Sequence, residues 1–162
     1  MDVIIMPSIH WLIQRVQSDY PDIIFAAGDE FHWSAPTKTI QYNPALPSAS
    51  EQLLHELSHA ILRHTHYTKD IDLIGMERDA WEHARHVAPT YDFAISDDTI
   101  QDALDSYRDW LHARSTCPGC QATGIQTKQQ AYRCLACHQQ WNVNEARLCA
   151  LRRYTSPTKK PE

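Results

Sequence analysis

The sequence predicts an α+β protein in which helices and a short antiparallel sheet precede a small cysteine-bearing module. Three observations carry that expectation. Apolar residues recur at helical spacing in several stretches of residues 8–112. Three short runs rich in β-formers lie between residues 23 and 42, separated by turn residues. Near the C-terminus stand two C-x-x-C pairs, in a segment whose charge opposes that of the rest. Residues 1–116 hold 8 Lys/Arg and 18 Asp/Glu, whereas residues 117–162 hold 7 and 2. An acidic body and a basic end point to two modules with different partners. The boundaries expected are 1–114 for the main domain, 115–154 for the cysteine module and 155–162 for a disordered tail.

Ile9, Leu12, Ile13 and Val16 form one stripe at i, i+3, i+4, i+7, so a helix is expected over Ser8 to Ser18 with Ser8 as N-cap. The runs Ile23 to Ala26, Glu30 to Ser34 and Thr39 to Tyr42 read as strands, and Gly28-Asp29 and Pro36-Thr37 read as the turns of an antiparallel meander. A second helix is expected from about Ser50 to His64, capped by Ser48 or Ser50, with Glu51 closing a capping box on Ser48. A third runs from about Gly75 to Val87 and stops before Pro89, because the residue preceding a proline leaves the helical region. A fourth covers Asp97 to His112, with Ile100, Leu104, Tyr107 and Leu111 on one face.

The second helix carries His55-Glu56-Leu57-Ser58-His59. Residues four apart share a helix face, so both imidazoles can grip one Zn²⁺, while Glu56, one step round, can serve as general base toward a water. Leu53, Leu54, Leu57, Ala60, Ile61 and Leu62 supply apolar cover. A catalytic zinc takes a third protein ligand. The metzincin arrangement needs Gly at position 62 and His at 65; Leu62 and Thr65 exclude it, and His64 and His66 fall to either side. A glutamate on the next helix is the other solution. Glu77 is preferred there, with Glu82 second.

A helix-and-strand start, then H-E-L-S-H-A-I-L-R-H, then E-R-D-A-W-E-H-A resembles the ImmA/IrrE group of gluzincin metallopeptidases over roughly residues 8–112. The resemblance implies a small zincin-like domain and makes Glu77, the first Glu of that second motif, the third zinc ligand; Ala80 and Ala84 match the same frame. Asp79 stands where the group often has Glu. Trp81 stands where gluzincins often have the Asp or Asn that holds a zinc-bound histidine, which leaves Asp79 and Glu82 as substitutes. The resemblance also makes the Thr39 to Tyr42 strand the cleft edge that pairs with a peptide substrate. The implied chemistry is peptide-bond hydrolysis, with an oxyanion donor among His64, His66, Tyr67, His83 and His86.

Cys117-Pro118-Gly119-Cys120 and Cys134-Leu135-Ala136-Cys137, thirteen residues apart, carry the spacing of a zinc ribbon. Four thiolates close the coordination of a Zn²⁺, so this second metal is expected to be structural. Cys149 is expected as a buried thiol under Trp141 and Leu148. Arg147, Arg152 and Arg153, with Gln139, Gln140 and Trp141, offer a surface for DNA or for a protein partner.

Only 4 of 162 residues are glycine, and neither a Walker loop nor G-x-G-x-x-G occurs, which argues against a phosphate-cradling nucleotide binder. The first residues, Met1 to Pro7, lack the basic region and apolar length of a signal peptide, and no stretch reaches the ~18 apolar residues of a membrane span. Paired C-x-x-C motifs then favour a reducing, cytoplasmic setting. The function expected is a zinc-dependent endopeptidase acting on a protein or peptide substrate, with no membrane partner. The alternatives are a SprT-like protease of DNA-bound proteins, a group that also joins H-E-x-x-H to a C-terminal ribbon, and a non-enzymatic zinc-binding adaptor.

Overall fold

The computed structural model describes residues 7–147 and 149–155. The expected tail beyond Thr155, the start up to Met6, and Leu148 as a cover for Cys149 lie outside the described residues. The described chain is mixed α and β, with four α-helices and two small sheets. It divides into two compact units, Met1–His66 with Met76–Gln101, and Tyr67–Gly75 with Asp102–Glu162.

In the first unit, α1 (Ile9–Asp19) begins where Ser8 Oγ accepts the backbone N–H of Trp11, and it buries Leu12, Ile13 and Val16. The strands β1 (Ile24–Ala27), β2 (His32–Ser34) and β3 (Thr39–Tyr42) follow. Their order corrects the expected meander: β1 pairs with β3 in parallel, β2 pairs with β3 antiparallel, and the sheet runs β1-β3-β2. Turn residues mark where strands break, but not which side of a partner the next strand takes. β3 therefore lies in the centre, its hydrogen-bonding edges both used, and is not a free edge for a peptide.

Helix α2 (Ala49–Ile61) buries Leu53, Leu54 and Leu57, and it packs on β2 and β3, whose Ile40 is fully enclosed. Its Ser48 cap makes no side-chain bond, so the capping box is not formed. The helix stops three residues before the expected end. The N–H of Arg63 bonds the carbonyl of Ala60, and that of His64 bonds the carbonyl of His59. These two bonds are the Schellman closure of a helix, with Arg63 in the left-handed region at φ 57°.

Helix α3 (Asp70–Val87) starts five residues before the expected Gly75. The carboxylate of Asp72 takes the N–H of Lys69 and the hydroxyl of Thr68, which caps the earlier start. Gly75 is tolerated inside the helix. Ala80, Trp81 and Ala84 bring its buried face to the first unit's core. A short 3₁₀ turn, Ala88–Tyr91, takes up Pro89, and Tyr91 donates to Asp19 at 2.9 Å.

The second unit holds most of α4 (Asp97–Ser115) and an antiparallel sheet in the order β4-β5-β6-β7, formed by Gly124–Lys128, Ala131–Cys134, Gln140–Val143 and Arg153–Thr155. Tyr132, Trp141 and Val143 alternate inward with Cys117 and Cys134. Beside them lies a buried ion pair. Arg114 donates to both oxygens of Asp70 at 2.6 and 3.2 Å; Tyr132 donates to the same carboxylate at 2.5 Å and Gln126 at 3.3 Å. The remaining Arg114 donor reaches the carbonyls of Asn144 and Glu145. Each charge is thus paired and hydrogen-bonded, the condition on which burial is tolerable. Cys149 is exposed, against expectation, and Asn144 Nδ2 lies 3.3 Å from its sulfur.

Candidate metal centres

Helix periodicity sets His55 and His59 on one buried face of α2, and α3 brings Glu77 against them. The two Nε2 atoms lie 3.1 Å apart. Glu77 places one oxygen 3.0 Å from His55 Nε2 and the other 3.4 Å from His59 Nε2. Zinc bonds to nitrogen or oxygen of about 2.0–2.2 Å, arranged tetrahedrally, imply ligand atoms about 3.3 Å apart or slightly more. The separation of the two nitrogens is close to that value, and a different Glu77 oxygen lies at a similar distance from each ring, so the three side chains are compatible with one divalent cation.

The electrostatics agree. Burial alone would raise the Glu77 carboxyl, but hydrogen bonds from His55 and His59, and then their charges, hold it far below the usual carboxylate range. Burial lowers the His59 imidazole, and this is outweighed by the bond to Glu77 and by the charges of Glu77 and Glu56, so it stands above its ordinary value. Glu56 is half-buried, one residue from His55, and its charge is felt at His59 without its joining the ligand set. Glu77 and the two imidazoles are therefore strongly coupled: protonated histidines pair with the carboxylate, and a divalent cation would take the place of those protons.

Neither Asp79 nor Glu82 supports the ligand histidines. Asp79 is engaged by the adjacent Arg78 at the surface, and Glu82 is exposed and outside the ligand group. Trp81 stacks on the His55 ring instead, with centroids 4.2 Å apart and planes 21° from parallel; His55 Nδ1 is buried without a partner among the described residues. His59 Nδ1 lies 2.9 Å from His64 Nδ1. Of the other oxyanion candidates, His83 Nδ1 lies 3.0 Å from Ser58 Oγ, whose hydroxyl donates to the Leu54 carbonyl. His66 and His86 are exposed, and Tyr67 belongs to the second unit. The contacts of Trp81 and His64 had no signature in the sequence. A tryptophan in the place of a carboxylate shows as a departure, not as a stack. His64, five residues past His59, is off that histidine's face for as long as the helix continues.

In the second unit, Cys117, Cys120, Cys134 and Cys137 converge. Sγ of Cys117 lies 3.6 Å from that of Cys137, and Sγ of Cys120 lies 3.5 Å from that of Cys134. A disulfide needs about 2.05 Å, whereas tetrahedral Zn–S bonds of about 2.3 Å imply sulfurs about 3.8 Å apart. Each C-x-x-C turn ends on a left-handed residue, Gln121 at φ 63° and His138 at φ 63°. Backbone N–H groups of Cys137 and Ala136 hold the Cys134 thiol down to about 6, against some burial. The N–H of Gln139 lowers Cys137, but hydrogen bonding with the other thiols, Cys120 foremost, pushes it up to about 12. Four sulfurs this close do not all ionise against one another, and a dication removes that conflict.

No protein-family model, curated protein or solved structure significantly matches this chain. The geometry is compatible with zinc at both sets. Among the described residues, no helix is long and apolar enough to cross a membrane.

Proposed function

We propose that the chain is a zinc-dependent endopeptidase acting on a protein substrate, such as a regulator, with His55, His59 and Glu77 as ligands of a catalytic zinc and the four cysteines as ligands of a structural one. The observation that carries this reading is the convergence of Glu77 on the two histidines of an H-E-x-x-H helix, with Glu56 beside the ligands and not among them. Zinc in such a set supplies Lewis acidity toward a carbonyl and lowers the pKa of a water. Glu56 takes the proton of the attacking water and returns it to the leaving amine. The zincin-like fold and kinship with the ImmA/IrrE group belong to the same proposal, supported by the paired motifs on α2 and α3. Five free cysteines, four of them clustered as ligands, suit a reducing compartment such as the cytoplasm.

The basic charge of residues 117–162 favours one second reading, a SprT-like protease of DNA-bound proteins. Its usual third ligand is histidine, whereas the side chain that lies against His55 and His59 here is Glu77. A zinc-binding adaptor is the remaining alternative, and Glu56 argues against it, since an adaptor has no use for a base at that position. The test is incubation of the zinc-loaded protein and of its Glu56→Gln variant with a diverse peptide library, read by mass spectrometry. Cleavage by the wild type alone supports the endopeptidase. Zinc retained by both with no cleavage by either favours the adaptor, and salt-dependent DNA binding through the basic segment favours the second reading.

A further inference from the structure

We infer that His64 is a positioning residue for the first metal set. Through the Schellman closure of α2, it holds the His59 ring with Nε2 turned toward the ligand cluster. The inference rests on the reading of His55, His59 and Glu77 as a metal site.

Three observations meet at this point. The His64 N–H bonds the carbonyl of His59 at 3.0 Å, so the chain folds back over the last turn. The two rings meet edge to face, centroids 5.0 Å apart, with Nδ1 to Nδ1 at 2.9 Å. Arg63, which makes the reversal, holds the left-handed conformation without being glycine, at a cost of about 1 kcal/mol. The backbone bond and the side-chain bond thus join the same two residues.

The donor and acceptor roles follow from valence. A neutral imidazole that gives the lone pair of Nε2 to a metal carries its proton on Nδ1. His59 Nδ1–H is then the donor and His64 Nδ1 the acceptor, with the His64 proton on Nε2. A ligand imidazole whose other nitrogen is fixed in this way loses fewer orientations when it binds, and its basicity rises. His55 has no such bond among the described residues: Trp81 restrains its plane by stacking, and its Nδ1 finds no partner there. The two rings are therefore held by different means, and among the described residues only His59 has a hydrogen-bond acceptor behind it.

Asparagine is the informative replacement, because its Oδ1 stands at the same bond distance from Cβ as histidine Nδ1 and accepts a hydrogen bond. Leucine fills similar space and accepts none. The backbone bond from residue 64 survives each substitution, so the helix end is retained. The experiment titrates the full-length protein with zinc against a chromogenic chelator, with the cysteine set as internal control. His64→Ala should weaken zinc at the histidine set by about 10–100-fold, the usual effect of removing such a partner, and leave the cysteine set unchanged. His64→Asn should recover most of the loss, and His64→Leu should resemble His64→Ala. Two zinc ions in the wild type with unaltered affinity in His64→Ala, or equal recovery by Asn and Leu, would overturn the inference alone. A wild type that binds zinc only through its cysteines would remove the metal-site reading and this inference together.

Discussion

At the scale of single residues, ligand and base are separable by what each loses. Glu77→Gln should strip zinc from the histidine set while the cysteine set stays loaded, because an amide is a poor replacement for the carboxylate placed against both Nε2 atoms. Glu82→Gln, on an exposed side chain, should alter neither. Metal analysis of the two variants checks both statements. Glu56→Gln should keep both metals and lower peptide hydrolysis by ~10²–10⁴. For the metal-free protein, the sign of the Glu77 shift sets a pH dependence. A carboxyl depressed by folding contributes stability that is complete above its unfolded pKa and is lost as pH falls through the folded one. Denaturation midpoints of the apo protein should thus fall on acidification below pH of about 4, and less so for Glu77→Gln. The placing of His55 and His59 on one face was legible because a four-residue spacing has one meaning on a helix. His64 and Trp81 were not, because their contacts depend on where α2 ends and on which face α3 presents.

At the scale of elements, stripes of apolar residues foretold the helices well, and local chemistry decided their ends. α3 starts early because Asp72 caps residues 68 and 69, and α2 ends early because Arg63 accepts a left-handed turn. Arg63→Gly should preserve that turn and raise stability by up to about 1 kcal/mol, since glycine meets no left-handed penalty. Chemical denaturation of the full chain measures the gain, and a loss would mean that the Arg63 side chain has work of its own. Strand positions were legible and their order was not: alternation and turn residues do not distinguish a meander from a sheet whose last strand enters the middle. In the second sheet, Gly124 is set by space. A Cβ there would lie 2.4 Å from the Trp141 ring and 2.9 Å from the Arg133 carbonyl. Gly124→Ala should therefore cost about 1–3 kcal/mol as an overpacking substitution, read as a lowered midpoint.

At the scale of the whole molecule, the two units bury different things, and this predicts how each responds to losing metal. The first encloses large aliphatic side chains from α1, α2 and β3, with Ile40, Leu53, Leu54 and Leu57 fully buried. Each such residue contributes about 1.5–3 kcal/mol on burial, so a core exists apart from the histidine set. The described aliphatic core of the second is smaller. Cys117 and Cys134 are themselves members of its cluster with Tyr132, Trp141 and Val143, so two of its four candidate ligands are also core residues. Metal bound by a closed thiolate set of this kind is folding free energy, whereas an open three-ligand site gives up its ion more readily. The chain should contain about two zinc ions as isolated. Mild chelation should remove one, with peptide hydrolysis lost and the amides of α2 still protected from hydrogen exchange. Removal of the second, by a stronger thiol-competing chelator or by Cys134→Ser, should expose the amides of β4, β5 and β6 together, because the two C-x-x-C turns then lose the ion proposed to hold their sulfurs together. Retained protection of β5 and β6 after complete metal removal would show that the stacked Tyr132 and Trp141 rings, 5.7 Å between centroids, and the Asp70–Arg114 pair hold this sheet unaided, and would move the second zinc from a structural to an accessory role.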